Sequence, residues 1–268
     1  MPAIADPPIG WTAAEGRLAS LRKGNGPRLV FVHGFTQTAH SWLPVAEQFT
    51  DSYQVIVVDA PGHGGSHEVR ADLRLGADLL VDVGGKATYI GYSLGGRFCL
   101  HAAVGYPNMV RRLVLVGTSA GIVDDQERLE RRAADEELAE RIESNGVPQF
   151  VEAWLAQALF RTLSEQRAGR ADRLTNSASG LASSLRLAGT GTQLPLWDRL
   201  AQIGAPCLVL AGETDAKFTG LGKQIAAAML NANFWSIIGA GHAAHLEQPA
   251  QTVDVLRYWL DSTKYVGS

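Results

Sequence analysis

Thr88-Tyr89-Ile90-Gly91-Tyr92-Ser93-Leu94-Gly95-Gly96-Arg97 is the stretch on which the fold turns. The run from Ala87 to Ile90 reads as a strand, and a helix is expected from about Gly96. Between them Gly91 to Gly95 matches G-x-S-x-G, in the strand–turn–helix setting that the motif requires. A turn this tight needs its glycines to let the backbone pass, and it lifts the Ser93 oxygen above the edge of a sheet. The helix N-terminus behind it favours negative charge developing there. An ordinary Gly-rich turn is the bland alternative, and the pentapeptide alone would not exclude it.

Similar apolar runs recur outward from this point, at Leu29–Val32, Val55–Val58, Leu113–Val116, Leu208–Leu210 and Phe234–Ile238. They are continuous rather than alternating, as befits parallel strands buried on both faces. Helix-length segments separate several of them, including Thr36–Thr50 and Arg97–Tyr106. Strands alternating with helices predict an α/β sheet, mostly parallel, with helices on both faces. The rhythm stops after Val116. Asp124–Ser144 is rich in Glu, Arg and Ala, and Val147–Phe160 carries apolar residues at helical spacing. A Gly/Ser/Thr-rich stretch, Ser177–Thr192, follows. We expect an inserted helical cap over 119–197, with 1–118 and 198–268 forming the core.

Two further loops fit the serine. Asp215 lies just past the Leu208 run and His242 just past the Phe234 run. Parallel strands bring such loops to the carboxyl edge of a sheet, where ligands bind. The chain order Ser93, Asp215, His242 is that of an α/β-hydrolase fold. His242 would exchange a proton with Ser93, and Asp215 would hold the imidazole tautomer. The backbone N–H groups of Phe35 and Leu94 are the expected oxyanion hole. Glu213 competes with Asp215 as the acid. His245, three residues past His242, reads as packing or lining. His33 reads as a structural residue closing its loop, and the His63–His67 stretch lacks the further ligands of a metal site.

Composition narrows the function classes. The chain has 268 residues, 46% of them apolar and 19% charged, with a net charge of -3. No basic excess points to nucleic acid or an anionic membrane surface. No apolar run is long enough to span a bilayer. The segment Met1–Pro8 lacks the basic and apolar regions of a signal peptide. Cys99 and Cys207 sit in apolar stretches and read as buried free thiols, which suits a cytoplasmic protein. The sequence leaves the oligomeric state open.

Arg97 stands four residues after Ser93, one helical turn on and leaning back toward the expected pocket. A guanidinium there would receive a substrate carboxylate or pair with a Glu of the cap, and spacing alone does not decide which. The nine arginines of the cap are weak evidence, because they are interspersed with twelve acids and the whole chain prefers Arg to Lys.

Several longer stretches resemble the MenH family, the 2-succinyl-6-hydroxy-2,4-cyclohexadiene-1-carboxylate synthases of menaquinone biosynthesis. They are Val32-His33-Gly34-Phe35, Pro61 to Ser66, Gly91 to Arg97, Glu127 to Arg132 with Asp135, Ser184 to Gln193, Gly212 to Phe218, and Gly241 to Glu247. The resemblance implies Ser93, Asp215 and His242 as a triad. It also implies Arg97, Arg131 and Arg173 as carboxylate binders and Tyr92, Trp154 and Phe160 as pocket lining, with the segment around Arg173 diverging most. It further implies a cofactor-free lyase acting on a small polycarboxylate, with Ser93 as general base. A carboxylesterase or C–C-bond hydrolase on the same scaffold is the competing reading, and a ligand receptor retaining the triad is a third.

Overall fold

The apolar runs become strands, and two short strands precede them. They are β1 (Thr12–Ala13), β2 (Ser20–Lys23), β3 (Arg28–Val32), β4 (Gln54–Val58), β5 (Ala87–Tyr92), β6 (Val110–Val116), β7 (Cys207–Gly212) and β8 (Ala232–Ile237). This computed structural model describes residues 3–5 and 7–263. The reading of Met1–Pro8 therefore lies partly outside the described residues. One eight-stranded sheet forms, in the order β1-β2-β4-β3-β5-β6-β7-β8. From β4 across to β8 every pairing is parallel; β1 and β2 run antiparallel along one edge.

Nine helices are described: α1 (Leu43–Ala46), α2 (Leu73–Gly84), α3 (Leu94–Gly105), α4 (Asp125–Leu155), α5 (Arg170–Arg173), α6 (Ala178–Ala188), α7 (Ala216–Ala228), α8 (Ala244–Glu247) and α9 (Pro249–Ser262). Successive strand residues point to opposite faces, so the sheet builds two cores. Val30, Val32, Tyr89 and Leu115 join residues of α2, α3 and α7 on one side. Leu29, Phe31, Ile90 and Val116 join residues of α1 and α9 on the other.

Among the described residues no strand lies between Val116 and Cys207. Helices α4 and α6 pack on each other through Ile142, Phe150, Val151, Leu181 and Leu185, a third apolar cluster. Gly146, at φ 80, breaks α4 near the point where the sequence divides into two helical segments. One stretch left without an element gains a helix, and one sequence expectation needs correction. The Gly/Ser/Thr-rich stretch from Ser177 contains α6, because Ser177 caps it by accepting the Gly180 N–H, and Leu181, Ala182, Leu185 and Ala188 form its buried stripe. Thr36–Thr50 is not one helix but short 3-10 turns around the four-residue α1.

Register carries the consequence for chemistry. Val32 pairs with Gly91, Gly91 with Leu115, and Val116 with Leu210. The carboxyl ends of β3, β5, β6 and β7 thus finish together, and β8 ends beside β7 with Ile237 opposite Gly212. The glycines of the turn after β5 are forced by contact. A Cβ on Gly95 would stand 2.2 Å from the Val32 carbonyl oxygen and 2.6 Å from that of His33, both backbone of the adjacent strand end. Gly95→Ala should therefore lower Tm by roughly 4 °C or more through overpacking. A thermal melt superimposable on the parent would contradict this packing.

Candidate active site

Ser93 occupies the turn at φ 51, one of two non-glycine residues with positive φ among those described. The strain is held from both sides. Its N–H donates to Val116 O at 2.9 Å, and Thr118 Oγ1 donates to its carbonyl at 2.8 Å. Arg97 N–H closes the first turn of α3 onto the Ser93 carbonyl, so the N–H groups of Leu94, Gly95 and Gly96 have no acceptor within the helix. Leu94 N–H, the expected oxyanion donor, is one of these. Phe35 borders the same cavity across from Ser93.

His242 reaches Ser93 from the loop after β8. Its Nε2 stands 3.4 Å from Ser93 Oγ, and its Nδ1 stands 2.8 Å from Asp215 Oδ2. With Nδ1–H donating to the carboxylate, Nε2 is left to accept from the serine hydroxyl. The other Asp215 oxygen accepts Phe218 N–H and caps α7. The His242 loop is itself gripped by Glu247, whose two oxygens accept the N–H groups of Gly241 and Ala243 at 2.8 and 3.1 Å. Glu213 instead accepts Gly239 N–H and is exposed. His245 is buried between Trp42, stacked at a ring distance of 4.2 Å, and Tyr92, tilted at 4.4 Å, and it does not line the cavity at Ser93.

A cavity of about 360 Å³ opens over Ser93 and His242. Tyr92, Trp154 and Phe160 line it, as do Arg97, Arg131, Arg173 and Lys217, and among the described residues no carboxylate lines this part; the cleft that continues from it past Ser93, Arg97, Arg131 and Lys217 is edged by Asp124, Glu127 and Glu130. Arg97 is 8% exposed and donates to the Ala188 carbonyl at 2.7 Å. No carboxylate pairs with it among the described residues, so the ion pair with a cap Glu does not form. Burial and the neighbouring Arg131 lower its pKa to about 10, which still leaves it charged near neutral pH. Arg131 is paired through Nε with Asp135 at 2.7 Å and is more open. Arg173 is fully buried, with Nε on the Ala168 carbonyl and one terminal nitrogen on Thr36 Oγ1. Its guanidinium is thus partly committed to the protein. Trp154 Nε1 and Ser184 Oγ are buried without a partner and belong to the cavity wall.

The loop carrying Phe35 is braced by two imidazoles. His33 Nε2 accepts Ala60 N–H at 3.0 Å, and His63 Nε2 accepts Thr36 N–H at 3.3 Å. Burial lowers His33 to about 4 and His63 to about 3, the latter with help from His33. The unfolded chain binds these protons from about 6.5 downward while the folded chain refuses them, so their contribution is lost as pH falls through that window. Asp59 acts oppositely: burial raises it to about 6, and its contribution shrinks as pH rises through that value. The two imidazoles outweigh the one carboxyl, and Tm should drop by roughly 5 °C or more between pH 7 and 4.5. A flat Tm over that range would contradict the bracing role.

Comparisons with known proteins show the family to which this fold belongs. Residues 29–255 match the model of the alpha/beta hydrolase family. The 2-succinyl-6-hydroxy-2,4-cyclohexadiene-1-carboxylate synthase of Salmonella typhimurium is 36% identical over 239 residues, covering 86% of this chain and 92% of that protein. A Bacillus subtilis protein, putatively of the same name, is 35% identical over 82% of this chain and 85% of its own length. The solved structure of MenH from S. aureus superimposes with a TM-score of 0.85 at 32% identity, covering 91% of this chain and 98% of that one. The chain belongs to the MenH family. A thermophilic esterase from Thermogutta terrifontis, solved with malate bound, also superimposes, at a TM-score of 0.81 and 25% identity over 94% and 98% of the two chains. A MenH-family backbone and an esterase backbone are thus nearly the same object, and the difference must lie in the cavity.

Sequence reasoning named no role for Lys217 or Ser184. Lys217 stands two residues after Asp215, which was a usable signal. Ser184 is an unremarkable serine until α6 is known to face the cavity.

Proposed function

We propose that this chain is a lyase of menaquinone biosynthesis. It eliminates pyruvate from 2-succinyl-5-enolpyruvyl-6-hydroxy-3-cyclohexene-1-carboxylate to give 2-succinyl-6-hydroxy-2,4-cyclohexadiene-1-carboxylate. The observation that carries the reading is the charge beside Ser93: four cationic side chains and, among the described residues, no carboxylate line the cavity there, in a chain whose net charge is -3. A substrate with three carboxylates fits that wall, and a neutral ester leaves a buried Arg97 unanswered. The names of relatives at about 36% identity point the same way.

Ser93, Asp215 and His242 act as a proton-transfer unit. Ser93 Oγ passes its proton to His242 Nε2 and takes the proton from ring C2 of the substrate, next to the succinyl carbonyl. The electron pair forms the C2–C3 double bond, the ring double bond moves to C4–C5, and the C5–O bond breaks. Enolpyruvate leaves, receives a proton and becomes pyruvate. The N–H groups of Phe35 and Leu94 stabilise the enolate oxygen of the succinyl carbonyl, each such donor contributing ~10²–10³ in rate. Arg97 and Arg131 hold carboxylates, Arg173 adds positive charge from below, and Tyr92, Trp154 and Phe160 shape the apolar wall. No cofactor enters these steps. Among the described residues, those within 119–197 form a cap over a core drawn from 1–118 and 198–268, and the two buried thiols suit a cytoplasmic setting. No described helix is long and apolar enough to cross a membrane.

The test is pyruvate release from that precursor by the purified protein without added cofactor. Rapid turnover of p-nitrophenyl esters with no pyruvate would make the chain a hydrolase instead.

A further inference from the structure

Thr36 is the second strained residue of the molecule. It is β-branched yet sits at φ 69, beside Phe35. Such a conformation costs about 1–3 kcal/mol and persists only where its surroundings over-determine it. At Thr36 every polar group is held. Its N–H donates to His63 Nε2, its carbonyl accepts from Asn176 Nδ2 at 2.8 Å, and its Oγ1 accepts from Arg173. Two of these three holders come from the helical segment between β6 and β7, some 140 residues away. Asn176 reaches further, since its Oδ1 accepts Gly64 N–H at 2.8 Å and its Nδ2 also donates to the Arg173 carbonyl at 3.0 Å. Asp172 completes the grip by accepting from Thr38 Oγ1 and lying 3.5 Å from His40 Nδ1. Asn176 is 5% exposed and stands outside the cavity wall.

We infer that Asn176, flanked by Asp172 and Arg173, is a positioning residue through which the cap holds the oxyanion loop in its working shape. A cap displaced from this contact releases Thr36 toward an ordinary φ and turns the Phe35 N–H away from the developing charge. Cap placement and transition-state stabilisation are therefore coupled, with Asn176 holding the Thr36 carbonyl from the cap. This inference rests on the proposed role of the Phe35 N–H.

The experiment measures kcat, KM and Tm for Asn176→Ala and Asn176→Asp in the intact chain with the lyase substrate. Asp keeps the acceptor for Gly64 N–H and sets a carboxylate against two carbonyl oxygens. Both variants should lose about 10²-fold in kcat, comparable to removal of an oxyanion donor. KM should stay within about threefold, and the acid limb of the pH profile should not move. Thr36→Gly added to Asn176→Ala should restore part of kcat, because glycine adopts positive φ without a clasp. Should Asn176→Ala fail to fold, Asn176→Asp, which keeps the acceptor for Gly64 N–H, carries the same test. Folded variants with kcat within about threefold of the parent, or a loss confined to KM, would overturn the inference. A parent chain that releases no pyruvate would instead overturn the function on which it rests.

Discussion

Ser93→Ala should reduce pyruvate release by at least ~10³-fold while leaving the fold and Tm nearly unchanged. The substitution removes only an oxygen that no backbone group depends on. The strain at Ser93 is held by backbone and Thr118 contacts that alanine keeps, so the turn should survive. Substrate affinity should also survive, because the cationic wall is untouched. The effect therefore belongs in kcat, measured by coupling pyruvate to its reduction. A Ser93→Ala protein retaining more than about a tenth of the parent kcat would show that another group takes the proton.

Arg97→Met carries the second large effect. Methionine approximates the apolar stem and removes the guanidinium, so kcat/KM should fall by ~10²–10³, the loss of about 3–4 kcal/mol typical of a desolvated charge partner. Stability should move the other way or not at all. Arg97 is buried and, among the described residues, has no carboxylate partner and donates to the Ala188 carbonyl, so the folded protein bears its desolvation cost. Lower activity with an equal or higher Tm is the signature of a group kept for its ligand. Lower Tm with unaltered kcat/KM would assign Arg97 a structural role instead. Arg131→Met should cost less, because Arg131 already has Asp135.

The elements that could be read from the sequence are those coded locally. The turn at Gly91–Gly95 announces itself because its glycines are sterically required and adjacent. Asp215 and His242 are recoverable because each follows an apolar run and stands in the chain order of this fold. The strand pairs β1 and β2 escaped notice, being two and four residues long and carrying Arg22 and Lys23 along an edge. Helix α6 was masked by its serines and Gly180, whose small size is what lets it lie close over Gly62. Arg173 and Asn176 act through contacts roughly 137 and 140 residues distant in the chain, and no local pattern encodes such a meeting. Segment length also misled at Thr36–Thr50, where short 3-10 turns around a four-residue helix take the place of one long helix.

The same three side chains could serve a nucleophile or a base, and one reaction separates the two. Precursor deuterated at ring C2 should turn over with one pyruvate per cyclohexadiene, lose the label to solvent, and leave unmodified Ser93 in the mass spectrum of the quenched enzyme. An acyl adduct on Ser93, or hydrolysis of the precursor with the C2 deuterium still in place, would contradict the assignment of Ser93 as the base in this cationic cavity.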